Sequence, residues 1–191
     1  MATVATPMGA EPVNTLSASG SFTGKVRHIK IASGYGTAIF YGDFLKLVNT
    51  GTVEKDTGTT SLTPVGVFVG CSYTDPSTSQ LTFNQTFPAS TAADDIVAYV
   101  VDDPNVVMQM QSSGVLSQTE LGNNIAVVQT AGSTSIGRSK NSLGDTGATT
   151  NTLPMRIIEF VDGPNSAVGD AFTDALVFFN VGHQYTNTTG V

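Results

Sequence analysis

Residues 65–73 read Val-Gly-Val-Phe-Val-Gly-Cys-Ser-Tyr. The run is β-branched and aromatic almost throughout, and such side chains favour a pleated, half-buried surface. Its two glycines predict a β-bulge or a place where another backbone comes close. Asp75 and Pro76 then start a turn. Residues 81–87 follow with Leu, Phe, Gln and Phe at alternate positions, which predicts a strand with one largely apolar face. Residues 96–101 are apolar throughout and read as a central, buried strand, stopped by Asp102, Asp103 and Pro104.

The same grammar extends in both directions. Upstream, strands are expected at 25–32, from 38 to 40 and at 44–48, separated by the Gly34-Tyr-Gly turn and the Gly42-Asp turn. Residues 50–61 read as a polar loop. Downstream, strands are expected at 106–111, 125–130, 155–161 and 174–180. Residues 114–122 hold the one short helical piece. Residues 132–151 read as a Ser/Thr/Gly loop carrying Arg138 and Lys140, and 185–191 as a polar tail. Short strands with turn signals between them, and almost no helical periodicity, predict a mainly β fold: an antiparallel β-barrel or sandwich with long loops.

Composition agrees. The 191 residues include 27 Thr, 17 Ser, 11 Asn and 20 Gly, while only 12% are charged. Ordinary soluble proteins are roughly 25% charged, and helical bundles draw on Ala, Leu, Glu, Lys and Arg instead. The longest apolar run is six residues, far short of the roughly 20 that a membrane helix needs. The N-terminal stretch has neither a basic start nor an apolar centre, so it does not read as a secretory signal. One cysteine excludes an intramolecular disulfide, and two histidines with that cysteine are too few for a common structural zinc site. A net charge of −7 disfavours direct nucleic-acid binding.

Domain organisation follows from where periodicity begins. Residues 1–24 are rich in Ala, Thr, Pro, Ser and Gly, carry one charge, Glu11, and show no period. They are expected to form a flexible N-terminal arm, ordered only against a neighbour. Residues 25–191 are expected to form a single β-rich domain. Charge divides unevenly: residues 1–70 carry five basic and four acidic side chains, the remainder three basic and eleven acidic. Such asymmetry reads first as a generally acidic surface, and it is compatible with like subunits meeting through opposite faces or with docking on a partner of mixed charge.

Catalytic chemistry finds little footing. His28 lies among like charges, His183 follows the last strand, and no Gly-x-Ser-x-Gly elbow occurs. Asp94 and Asp95 stand at one end of a six-residue strand and Asp102 and Asp103 at the other, about 20 Å apart, too far for a glycosidase pair. The glycine-containing turns lack the spacing of phosphate loops. Cys71 sits in an apolar run and reads as a small hydrophobe. The sequence therefore points to no enzyme and no cofactor.

Four passages carry a resemblance. Gly42-Asp-Phe-Leu-Lys-Leu, Thr63-Pro-Val-Gly-Val-Phe-Val-Gly-Cys, Asp94-Asp-Ile-Val-Ala-Tyr-Val-Val-Asp-Asp-Pro and Val168-Gly-Asp-Ala-Phe-Thr-Asp-Ala-Leu-Val-Phe-Phe-Asn together resemble virion structural proteins of tailed, particularly marine, bacteriophages. The resemblance spans roughly residues 25–185 and is greatest to small capsid decoration (cement) proteins. It implies a protein on the capsid surface of the virion that binds the major capsid protein, bridges shell subunits and forms a homo-oligomer, a trimer above all. The arm would act as a clamp, with Lys25, Arg27 and Lys30 at its base as candidate shell contacts. Avidity from several modest contacts would hold it in place. The alternative is a tail or head-fibre component, or a carbohydrate-binding receptor-recognition domain, with Tyr35, Tyr41, Tyr73 and Tyr99 as stacking faces.

Overall fold

A computed structural model describes residues 4–16 and 24–191 of the chain. Strands take up 39% of it and helix 2%, so the fold is mainly β, as expected. In chain order the strands are β1 (Glu11–Thr15), β2 (Arg27–Lys30), β3 (Ile39–Phe40), β4 (Phe44–Leu47), β5 (Val53–Lys55), β6 (Gly66–Thr74), β7 (Leu81–Asn84), β8 (Thr86–Phe87), β9 (Val97–Val101), β10 (Val106–Gln111), β11 (Asn124–Ile125), β12 (Val127–Val128), β13 (Ser142–Leu143), β14 (Met155–Phe160) and β15 (Asp174–Phe179). The one helical piece is a 3₁₀ turn, Gln118–Glu120, within the stretch expected to hold it.

Two larger antiparallel sheets organise the chain. The first has the order β1-β10-β15-β14-β11. The second has the order β2-β9-β6-β4-β5, with β7 also paired to β6. Two-stranded ribbons, β3-β8 and β12-β13, complete the pairing, and no sheet among the described residues closes into a barrel.

Side-chain alternation explains where the cores lie. Along β4, Phe44 joins a core shared with the first sheet, while Leu45 joins a second core on the opposite face. Val67 and Phe68 of β6 divide the same way, and so do Val101 and Val100 of β9. The central strands of the second sheet are therefore buried on both faces, which is why they read as unbroken apolar runs. The first sheet supplies Met108, Met110, Ile157, Val177 and other inward positions to the shared core. Ile39, Phe87 and Ile96 help cover the other face.

The two glycines of β6 do different jobs. A Cβ on Gly66 would overlap the Val101 carbonyl oxygen, so the glycine permits close approach of β9. Gly70 has φ +146° and follows a register shift in the β6–β9 pairing, between Phe68 and Gly70. Val69 is the extra residue of a bulge there.

Residues 4–16 of the expected arm are built onto the first sheet. Residues 11–15 are β1, which pairs Glu11 with Gln109 and Thr15 with Val106. Ala10 is fully buried, and its N–H donates to the Gly42 carbonyl at 2.9 Å. Backbone hydrogen bonds, not an apolar stripe, hold this segment, so it has no period to read. Pro12, which has no N–H to give, is tolerated beside the β1 bulge on a sheet edge. The remainder of the expected arm, residues 1–3 and 17–23, lies outside the described residues.

The residue just before the expected polar tail is held by the second sheet. The Gln184 side chain acts as a strand backbone would, accepting from Leu47 N–H at 2.6 Å and donating to the Leu47 carbonyl at 3.0 Å.

Candidate functional site

The three basic residues singled out in the sequence do not share a face. Lys25, Arg27 and Lys30 are all exposed, but Arg27 and Lys30 stand three apart on edge strand β2 and alternate to opposite sides. Arg27 Nε donates to the Asp102 carboxylate, and its guanidinium carbon lies 5.6 Å from the Tyr185 ring centre. Lys30 is opposite Val97, and its strand neighbour His28 is opposite Tyr99, with ring centres 4.8 Å apart. Lys25 precedes the strand.

The Gly42-Asp turn proves to be architecture. Asp43 is fully buried. Its Oδ2 accepts from Phe40 N–H and Lys55 Nζ, each at 2.9 Å. Its Oδ1 accepts from Ser139 Oγ at 2.6 Å and Asn141 Nδ2 at 3.2 Å. Four donors satisfy one buried carboxylate and tie a distant loop to the β3–β4 turn. Asp56, nearly as buried, accepts from Gly58 and Thr63 N–H groups and shapes the loop after β5.

The other titratable candidates are likewise spent inside the fold. Asp95 accepts from both N–H and Oγ1 of Thr74, which pulls its carboxyl below the usual range. Asp103 accepts from the Asn105 N–H. His183 is 2% exposed, packed between Phe179 and Tyr185, and burial lowers its pKa. Its Nδ1 accepts from Tyr185 N–H at 3.3 Å. Cys71 is buried, and burial pushes its thiol up to about 12. Among the described residues, no three His, Cys, Asp or Glu side chains are grouped to hold a metal.

Two apolar surfaces face outward instead. One is the N-terminal segment on the edge of the first sheet: Val4, Met8, Val13 and Leu16 are all exposed. The other lies on the second sheet. Past Val69, the face that packs on the first sheet continues with Ser72, Thr74, Val97 and Tyr99, none of them buried. Leu81 and Phe83 of β7 extend this face and are 61% and 70% exposed. The expected apolar face of residues 81–87 therefore points outward at its start and buries only Phe87.

The tyrosines divide. Tyr73 is buried in the second core. Tyr35 packs on Phe87, and its hydroxyl accepts from Lys55 N–H at 3.1 Å. Tyr41 and Tyr99 instead line a shallow depression of about 480 Å³ with Phe83, Asn84, Gln85 and Arg138, floored by Gly70. Arg138 lies over the Tyr41 ring at 4.7 Å, and its Nη1 is 3.5 Å from Glu11 Oε2. The sequence offers Phe83, Glu11, Arg138 and Tyr41 singly and does not join them. No local pattern joins residues so far apart; the one available signal was the aromatic at position 83 on a strand outside the apolar runs.

Comparison with protein-family models, with curated proteins and with solved structures finds no match.

Proposed function

We propose that this chain is a structural protein of a virus particle, a capsid decoration protein that seats on the outside of the assembled head. In this reading it binds the major capsid protein, bridges neighbouring shell subunits and works as a homo-oligomer, a trimer above all. The observation that carries the reading is the N-terminal segment. Residues 11–15 form an edge strand, Val13 on it is 39% exposed, Val4 (66%), Met8 (50%) and Leu16 (44%) flank it, and Glu11 is the single charge of residues 4–16. An edge strand with outward apolar side chains is a surface that another chain can cover, and folded proteins otherwise blunt such edges with charge. The resemblance of the 42–47, 63–71, 94–104 and 168–180 passages supports the viral setting. The internal hydrogen bonds of Asp43, Asp56 and Asp95 support a structural role over a chemical one.

Mechanically, several such edges held together in one oligomer add up to tight binding even where each is weak. Lys25 and Lys30 supply positive charge beside β2, on a chain that is otherwise acidic.

Co-sedimentation with expanded, undecorated shells of the same virus tests the proposal. Saturable binding at a fixed ratio to the shell subunit is expected. The double variant Val4→Ser/Met8→Ser is expected to weaken it about tenfold or more. Failure of the folded protein to bind such shells would refute the reading.

A further inference from the structure

We infer that the depression between Tyr41, Phe83 and Tyr99 is a binding subsite for a neutral saccharide, independent of the shell-binding reading. Three aromatic side chains from separate segments converge there: one after β3, one on β7 and one on β9. The floor is Gly70, where a Cβ would come within 3.2 Å of the Asn84 carbonyl oxygen and 3.6 Å of the Tyr99 ring. Gly70 thus leaves its place in the lining without a side chain.

The side-chain amides beside the rings keep unused hydrogen-bonding groups. Gln85 makes no hydrogen bond within the described chain, and Asn84 uses only Oδ1, accepting from Thr86 N–H at 3.2 Å. Arg138 Nη1 makes no hydrogen bond, and its contact to Glu11 Oε2 is an ion pair at 3.5 Å. Side-chain amides and a guanidinium present several N–H donors and amide acceptors in fixed places. Apolar walls with a few convergent polar groups are the usual make-up of a small-molecule site. Sugars offer both halves of the match: C–H faces for aromatic rings and hydroxyls for amides.

Charge selects the class. Arg138 is the one ionic side chain in the lining, and Glu11 at 3.5 Å offsets it. The site therefore has no excess charge with which to hold an acidic sugar or a phosphate. A protein partner would use Leu81 with Phe83 as a flat apolar patch and would leave Asn84, Gln85 and Arg138 facing it unpaired, at a cost. The proposal therefore assigns the hollow to a neutral hexose or N-acetylhexosamine unit.

Saturation-transfer NMR on the full chain, with N-acetylglucosamine, galactose and sialic acid as separate probes, tests this. Transfer to at least one neutral sugar and none to sialic acid is expected. Phe83→Ser, at a position 70% exposed, keeps the fold and is expected to lower affinity about tenfold. Tyr99→Ala is expected to abolish transfer, with the amide NMR spectrum as a check on folding. Absence of transfer from both neutral sugars overturns the proposal. So does neutral-sugar binding that survives Phe83→Ser unchanged. A change of oligomeric state in Phe83→Ser would assign the face to a protein contact and overturn it as well.

Discussion

Lys55 Nζ lies 2.9 Å from Asp43 Oδ2, with the lysine side chain 10% exposed and the aspartate fully buried. The pair joins β5 to the turn before β4, and Ser139 and Asn141 bring a third segment to the same carboxylate. Asp43→Ala strands a nearly buried ammonium and releases the 139–141 loop. A loss of about 3–5 kcal/mol in unfolding free energy is expected. Lys55→Met is expected to cost less, because Asp43 keeps three hydrogen bonds. Urea denaturation of both variants checks the order, and equal costs would contradict it.

Burial holds the His183 imidazole below its ordinary pKa, while Asp102 and Asp103 pull the other way. The unfolded chain therefore takes up a proton first. The stability due to neutral His183 is complete above a pH of about 6.5 and is lost as pH falls below it. His183→Gln removes the titration and keeps an acceptor for the Tyr185 N–H. Melting temperatures between about pH 7 and pH 5 should fall more for the native chain than for His183→Gln.

Phe68 and Phe83 test the two faces of the second sheet. Phe68 is fully buried and Phe83 is 70% exposed. Phe68→Ala should destabilise by about 3–5 kcal/mol, whereas Phe83→Ala should stay within about 0.5 kcal/mol. A large cost at Phe83 would mean that the chain itself covers this face.

The Cys71 thiol, raised to about 12 by burial, is expected to resist disulfide reagents in the folded protein. Reaction with a chromogenic disulfide should then follow unfolding of the second core. Rapid labelling under native conditions would show that β6 opens locally.

Gly66→Ala places a Cβ against the Val101 carbonyl oxygen and must push β6 from β9. A cost of at least about 1–3 kcal/mol is expected from chemical denaturation.

What could be read from the chain followed the reach of each interaction. β6, β9, β10 and β15 were legible because their apolar patterns are local and bury inward-facing residues. β5 and β13 were hidden inside stretches read as polar loops, since partner strands rather than their own composition define them. β1 was missed for the same reason. At residues 81–87 the alternation was real, but β7 hangs on β6 beyond the covering layer, so Leu81 and Phe83 face outward. Lys25, Arg27 and Lys30 are near one another in sequence, but strand alternation sends Arg27 and Lys30 to opposite sides. The role of Asp43 was invisible because two of its partners stand 96 and 98 residues further along. The lining of the aromatic depression is spread from Tyr41 to Arg138, so no local pattern gathers it.

The order β1-β10-β15-β14-β11 bears on how the protein is made. Strand β10 sits between the first strand of the chain and the last. A ribosome adds roughly 5–20 residues per second. The N-terminal strand therefore waits on the order of ten seconds before β15 is synthesised and the first sheet can close. During that interval Met108 and Met110 have no finished sheet over them. Newly made chains can stick to one another during that interval, so a chaperone that shields this stretch should raise the yield of folded protein, and slower translation should lower it.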